Sequence, residues 1–256
     1  MEKILELKNI SKLYQDENGE TVAIQDFSYA FEKGDFVSIV GPSGCGKSTL
    51  LSIIAGLENS SGGKIFLEGK ELNGLSDSIG YMLQKDYLLE WRTIFRNVMF
   101  GLEVKHMVTD ETTNYVQRLL KNYGLYEFKD KYPSQLSGGM RQRAALIRTL
   151  ATSPEILLLD EAFSALDYQT RLSVTDDVYK IIKQEGKTTI MVTHDIPESI
   201  SMSDKVIVLS KRPAIIKKVY NIDFQMDGRT PLNCRENPKF SKFFDCIWRE
   251  LNTWIP

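Results

Sequence analysis

"FVSIVGPSGCGKSTLLSIIAGL", Phe36 to Leu57, decides the fold. Its first five residues are a short apolar run of the kind that forms a strand buried on both faces, the next eight are punctuated by glycine, and the remainder reads as an apolar helix. Gly41 to Ser48 matches GxxxxGK[ST] in the context that gives this pattern meaning, a strand before and a helix after. Gly41, Gly44 and Gly46 let the backbone turn its N–H groups toward phosphate oxygens, and the helix N-terminus adds its positive end. In that reading Lys47 meets the β- and γ-phosphates, Ser48 ligates Mg²⁺, and Thr49 adds a hydroxyl near the α-phosphate. The loop as a whole, with Pro42, Ser43 and Cys45 between those residues, is assigned to a nucleotide. A chance glycine turn is the competing account, and the flanking elements weigh against it.

Three further buried runs follow: "EILLLD" (Glu155–Asp160), "TTIMVTHD" (Thr188–Asp195) and "KVIVLS" (Lys205–Ser210), each separated by helical or loop sequence. Strand, helix, strand in this order implies an α/β fold with a parallel sheet covered on both faces. Ile4, Leu5 and Leu7 open a strand-like segment that resumes at Val22–Phe31 after the turn-rich "DENGE", Asp16 to Glu20, which reads as antiparallel. "SSGGKIFLEGKELNG", Ser60 to Gly74, adds short strands, and Lys85 to Thr149 is mainly helical.

With 256 residues and 42% hydrophobic content the chain can build its own core. A net charge of −2 offers no basic field for nucleic acid. The three cysteines, Cys45, Cys234 and Cys246, show neither CxxC pairing nor metal spacing, which suits a reducing compartment. No stretch approaches the ~20 apolar residues of a membrane span, and the N-terminus does not read as a signal peptide. The chain is expected to be neither secreted nor membrane-spanning by itself.

Asp160 ends a buried run, where a carboxylate can hold Mg²⁺, and Glu161 beside it is the candidate for polarising an attacking water, because adjacent side chains of an extended chain point opposite ways. An Asp-Glu pair alone is more often a solvated turn; the four apolar residues before it argue otherwise. His194 follows the "TTIMVT" strand, at the carboxyl end where parallel sheets bind ligands, and could donate to the γ-phosphate, although a lone histidine is equally a packing residue. "LSGGMRQRAALIRTL", Leu136 to Leu150, starts a helix with Ser137, Gly138 and Gly139 yet holds no nucleophile, base or metal ligand.

"GPSGCGKST", "LSGGMRQR", "ILLLDE" with "SALD" behind it, and "THD" stand in the order found in the ATP-binding subunits of ABC transporters, and over roughly residues 1 to 215 the chain resembles that family. The resemblance implies a P-loop NTPase (RecA-like) core with an antiparallel β subdomain near 1–32 and 62–75 and an inserted helical subdomain near 86–150, followed by a C-terminal extension over 216–256. It implies that Ser137, Gly138 and Gly139 cap the γ-phosphate of ATP bound by a second copy in a head-to-tail dimer. A Ser hydroxyl, two glycines and a helix N-terminus suit that task, and a simple helix cap is compatible with it. By the same resemblance Tyr14 stacks on adenine, Gln84 contacts Mg²⁺ or water while reporting on a membrane partner, and Asp167 crosses the dimer interface. Met140 stands where many members have Gln.

The implied partners are a second copy of the chain, transmembrane permease subunits and an extracytoplasmic solute-binding protein, which places the chain peripherally at the cytoplasmic face of the membrane. "YLLEWRTIFRNVMFG", Tyr87 to Gly101, has helical apolar spacing at Trp91, Ile94, Phe95, Val98 and Met99, open to two readings, core or permease-docking groove. "LLEWRT" and "KRPA" resemble the nitrate, sulfonate, taurine and bicarbonate importer subfamily, with Glu90 where Pro is commoner. Importers of thiamine precursors share much of the pattern. A soluble ABC ATPase of DNA repair or translation would bring coiled coils, zinc cysteines or a duplicated cassette, and a small-molecule kinase would leave "LSGG" and "SALD" unexplained. Phe240, Phe243, Phe244, Ile247, Trp248 and Leu251 make one amphipathic helix after Pro238, expected to pack on its own domain. Cys45, at a helix N-terminus, invites a lowered thiol pKa, against the plainer reading of a small filler.

Overall fold

A computed structural model describes residues 2–16 and 19–252. Two long strands, β1 (Lys3–Asp16) and β2 (Gly19–Glu32), pair antiparallel, Asp16 opposite Gly19. Glu17 and Asn18, the middle of the expected "DENGE" turn, lie outside the described residues. Strand β3 (Phe36–Val40) and helix α1 (Lys47–Ile54) flank the phosphate loop. Next come β4 (Gly62–Leu67), β5 (Lys70–Glu71) and β6 (Ile79–Met82). A helical stretch follows, with α2 (Ile94–Val104), α3 (Asp110–Asn122) and α4 (Gly138–Leu150). The chain then runs through β7 (Ile156–Asp160), α5 (Tyr168–Gln184), β8 (Thr188–Thr193), α6 (Ile196–Met202), β9 (Lys205–Leu209) and β10 (Ile216–Asn221). It closes with α7 (Pro231–Cys234) and α8 (Lys239–Asn252).

The strands form two sheets, β2-β1-β4-β5 and β10-β9-β3-β8-β7-β6. In the larger one β3 runs parallel to both β8 and β9, with Val40 opposite Thr193 and Val208. The residue before the phosphate loop and the residue before His194 are therefore register partners. Alternation along β7 divides the core: Leu157 and Leu159 face a cluster with α2, α4 and α5, whereas Ile156 and Leu158 face α1 and the smaller sheet. Both faces are covered, which is why strands β3 and β8 are buried at every residue and carry no charged side chain.

Two strands were not evident from sequence: β6, only four residues long with a glycine, and β10, which carries two lysines and closes the sheet antiparallel to β9. The helical spacing expected from Trp91 begins later, at Ile94, because the Thr93 hydroxyl accepts the Arg96 N–H and caps the helix there. Trp91 sits before the cap and is 75% exposed, while Ile94, Val98 and Met99 are core. The two readings of that stretch thus divide residue by residue. Helix α8 packs Phe240, Phe243, Phe244, Ile247 and Leu251 on a cluster containing Ile200, Val206 and Phe224.

Candidate functional site

The phosphate loop owes its shape to contacts around it. Gly46 has φ of 121°, and a Cβ there would meet the Ala23 carbonyl oxygen at 2.9 Å, so this position admits no side chain. Lys47 is buried, and its ammonium donates to the carbonyls of Gly41 at 2.8 Å and Pro42 at 3.0 Å. Arg212, from the turn after β9, donates twice to the Gly44 carbonyl, at 2.7 and 3.2 Å. That turn is itself tied to β2 by the Ala214 N–H donating to the Ala23 carbonyl at 2.9 Å. Strand β2, the loop and the turn after β9 thereby form one frame.

Cys45 corrects one expectation. Its thiol is buried rather than presented at the helix end, Sγ filling the space beside Gly41, and burial pushes its pKa up, not down. The filler reading of its side chain is the one that matches.

Asp160 ends β7 with one carboxylate oxygen accepting from the Ser48 hydroxyl at 3.0 Å and the other from the Tyr81 hydroxyl at 3.0 Å. Burial raises its pKa, and the Ser48 and Tyr81 hydrogen bonds oppose the rise. This donor pair fits Mg²⁺, which takes one or two carboxylates and completes its octahedron with phosphate and water oxygens. Among the described residues no group of three or more His, Cys, Asp or Glu side chains is placed to hold a metal ion.

Glu161 has φ of 47°, in the left-handed region that non-glycine residues avoid, and its N–H donates to the Val192 carbonyl at 2.9 Å. Strain of this kind, typically about 1–3 kcal/mol, persists where surroundings over-determine it and clusters at active sites. The turn aims the side chain at His194, whose Nδ1 lies 3.2 Å from Glu161 Oε2. Gln84 is exposed and donates to the Ser164 hydroxyl at 3.0 Å, and that hydroxyl donates to the Glu161 carbonyl at 2.9 Å. Tyr14 is 38% exposed, its hydroxyl 3.4 Å from that of Thr49.

A cavity of about 260 Å³ is lined by Ser43, Gly44, Lys47, Ser48, Glu161 and Arg212, among others. Ser137, Gly138, Gly139 and Asp167 are not among its lining residues. Ser137 is exposed and caps α4, accepting from the Met140 N–H at 3.3 Å; Asp167 caps α5, accepting from the Thr170 N–H at 3.1 Å, and the Thr170 side chain first, then this N–H, lower its pKa. Gly139 is buried against α5, where an added Cβ would stand 2.7 Å from Val174 Cγ2.

Sequence reasoning missed Arg171 and Arg212. Arg171 donates to the Ser164 and Leu166 carbonyls at 3.3 and 2.9 Å and pairs with Asp195 at 3.2 Å, binding the "SALD" loop to the turn after His194. The only sequence signal was position: an arginine one helical turn after a capping aspartate.

The family model described as "ABC transporter" matches residues 24–164. The chain is 46% identical over 249 residues to the uncharacterised ABC transporter ATP-binding protein YtlC of Bacillus subtilis (strain 168), covering 97% of this chain and 96% of that one. It is 40% identical to the taurine import ATP-binding protein TauB of Jannaschia sp. (strain CCS1), over 93% and 90% of the two chains. The solved dimeric structure of MJ0796, a bacterial ABC transporter cassette, superposes with a TM-score of 0.73 at 31% identity, covering 86% of this chain and 99% of the cassette.

Proposed function

Because this chain belongs to the ABC transporter family, as one of its ATP-hydrolysing subunits, we propose that two copies close around two Mg-ATP to power uptake of a small anion of the nitrate, sulfonate or taurine type. One observation carries this reading. Ser137 and Asp167 are exposed at the starts of α4 and α5, outside the cavity that gathers the phosphate loop with Glu161 and so open to a second copy.

In this proposal Gly41–Ser48 and Thr49 cradle the phosphates, with Lys47 as their counter-charge, and Tyr14 meets the adenine. Ser48, Asp160 and Gln84 would hold Mg²⁺, which would neutralise phosphate charge during hydrolysis. Glu161 takes the proton of the attacking water, and His194, steadied through Nδ1, keeps Nε2 for the γ-phosphate. Ser137, Gly138 and Gly139 close the site of the other copy, and Asp167 crosses between them. Residues 1–215 act as the cassette and 216–256 as an extension.

Trp91 and its neighbours offer the docking surface for a permease, and Gln84, joined to Glu161 through Ser164, reports its position. No described helix is long and apolar enough to cross a membrane, which is compatible with a subunit held at the cytoplasmic face by the permease. An extracytoplasmic solute-binding protein completes the system, and the taurine importer among the relatives supports the anion class.

Glu161→Gln tests the mechanism in one protein. Turnover is expected to fall about 10²–10⁴-fold, the range of general-base assistance, while ATP binding persists and light scattering shows an ATP-dependent dimer. A variant that stays monomeric with saturating ATP overturns the sandwich.

A further inference from the structure

Helix α8 ends against the catalytic edge of the larger sheet. A cavity of about 390 Å³ opens there, walled by Pro42 and Ser43 of the phosphate loop, by His194 and Ile196 after β8, and by Trp248 and Leu251 of α8. Trp248 stacks on Phe244, with ring centroids 5.9 Å apart, yet stays 53% exposed. It is not needed to hold the helix, because Ile247 next to it is fully buried and Phe240 and Phe243 pack beside Phe224. A half-exposed indole, stacked on Phe244 at the rim of an open pocket, has the character of an interface anchor.

The same edge must meet a second copy if ATP is shared between cassettes, so this inference rests on that reading. Closure over Ser43 and His194 also covers the cavity whose walls they form. The segment that covers it has to be exposed, part of the opposing catalytic face and able to present an apolar surface. Ala165–Tyr168 meets these needs with exposed Ala165 and the 66% exposed ring of Tyr168, on either side of the Asp167 carboxylate, and Arg171 ties the loop to Asp195. We propose that α8 extends the interface between cassettes, Trp248 and Leu251 of one copy receiving the Ala165–Tyr168 segment of the other. In a two-fold pair the contact occurs twice, so each substitution acts on both halves.

The experiment uses the full chain carrying Glu161→Gln, with dimer formation followed by sedimentation against protein concentration in saturating ATP. Trp248→Ala and Tyr168→Ala are each expected to weaken the dimer at least about tenfold, the scale of an aromatic anchor. The double variant should be little worse than either single, and Trp248→Phe should restore most of the loss. Binding of a fluorescent ATP analogue to the monomer should not change. With Trp91→Phe and Trp254→Phe added, Trp248 emission should shift to the blue with ATP in proportion to dimer formed. An unchanged dimerisation midpoint in Trp248→Ala overturns the inference, as does a tighter dimer, which would make α8 an obstruction. An emission shift independent of protein concentration also overturns it, since a small molecule or a segment of the same chain would then fill the cavity. If the parent Glu161→Gln chain fails to dimerise, the sandwich itself is wrong and this contact falls with it.

Discussion

Gly139 shows how tightly a single residue can be fixed by packing. The absent side chain lets α4 approach Val174 of α5, so the glycine of "LSGG" faces inward while Ser137, two residues earlier, is exposed at the helix end. Gly139→Ala forces a methyl to 2.7 Å from a branched side chain on a packed helix. Overpacking of this kind typically costs about 1–3 kcal/mol, and thermal unfolding should show it as a lowered midpoint. Its turnover should fall by more than the loss of folded protein accounts for, because the displaced α4 carries Ser137. At this scale the phosphate loop was readable because a glycine pattern and its flanking apolar runs are contiguous. Arg212 was not, because the carbonyl it holds, on Gly44, lies 168 positions away in the chain.

Among elements, the links between nucleotide-facing loops are made by helix starts. Asp195 caps α6 through the Glu198 N–H and simultaneously pairs with Arg171, which also grips two carbonyls of the loop between β7 and α5. Arg171→Ala frees that loop from the turn after His194 without opening the core. Losing charge-assisted bonds of this type costs about 1.5–3 kcal/mol each when their partners are left unpaired. Steady-state kinetics should give a kcat loss of roughly tenfold or more, the equivalent of 1.4 kcal/mol, with KM for ATP nearly unchanged. A marked rise in KM would instead place Arg171 among the nucleotide contacts. The core strands β3, β7, β8 and β9 were legible because burial on both faces leaves short runs with no charge in their interiors. Strands β6 and β10 were not: edge strands are buried less, and their periodicity is too short or too polar to separate from loop.

For the molecule as a whole, Glu198 sets a pH dependence. Its carboxyl is buried with Oε1 lacking a hydrogen-bond partner among the described residues, and burial pushes its pKa up to about 7. Thr193, Asp195, Arg171 and Arg235 surround it, Asp195 adding to the rise and Thr193 and the two arginines opposing it. The folded chain therefore binds this proton more tightly than the unfolded chain does. The stabilisation is complete below the unfolded value near 4.5 and is lost as pH rises through about 7. Compared with Glu198→Gln by chemical denaturation, the parent should lose stability on the order of 3 kcal/mol over that interval, about 1.4 kcal/mol per pH unit at most. Equal slopes for the two proteins would discard the assignment.

Strand β10 bounds the larger sheet, and it carries Lys217 and Lys218 in sequence, the first paired with Glu250 and the second lying over the Tyr220 ring. Positive side chains on a terminal strand discourage a stray chain from adding itself to the ladder. If two copies meet and part through one face as proposed, the chain has reason to keep its other borders unsociable. Replacing Lys218, the exposed one of the two, with threonine would remove that guard, and the reward of smoother strand geometry would be clumping in the test tube.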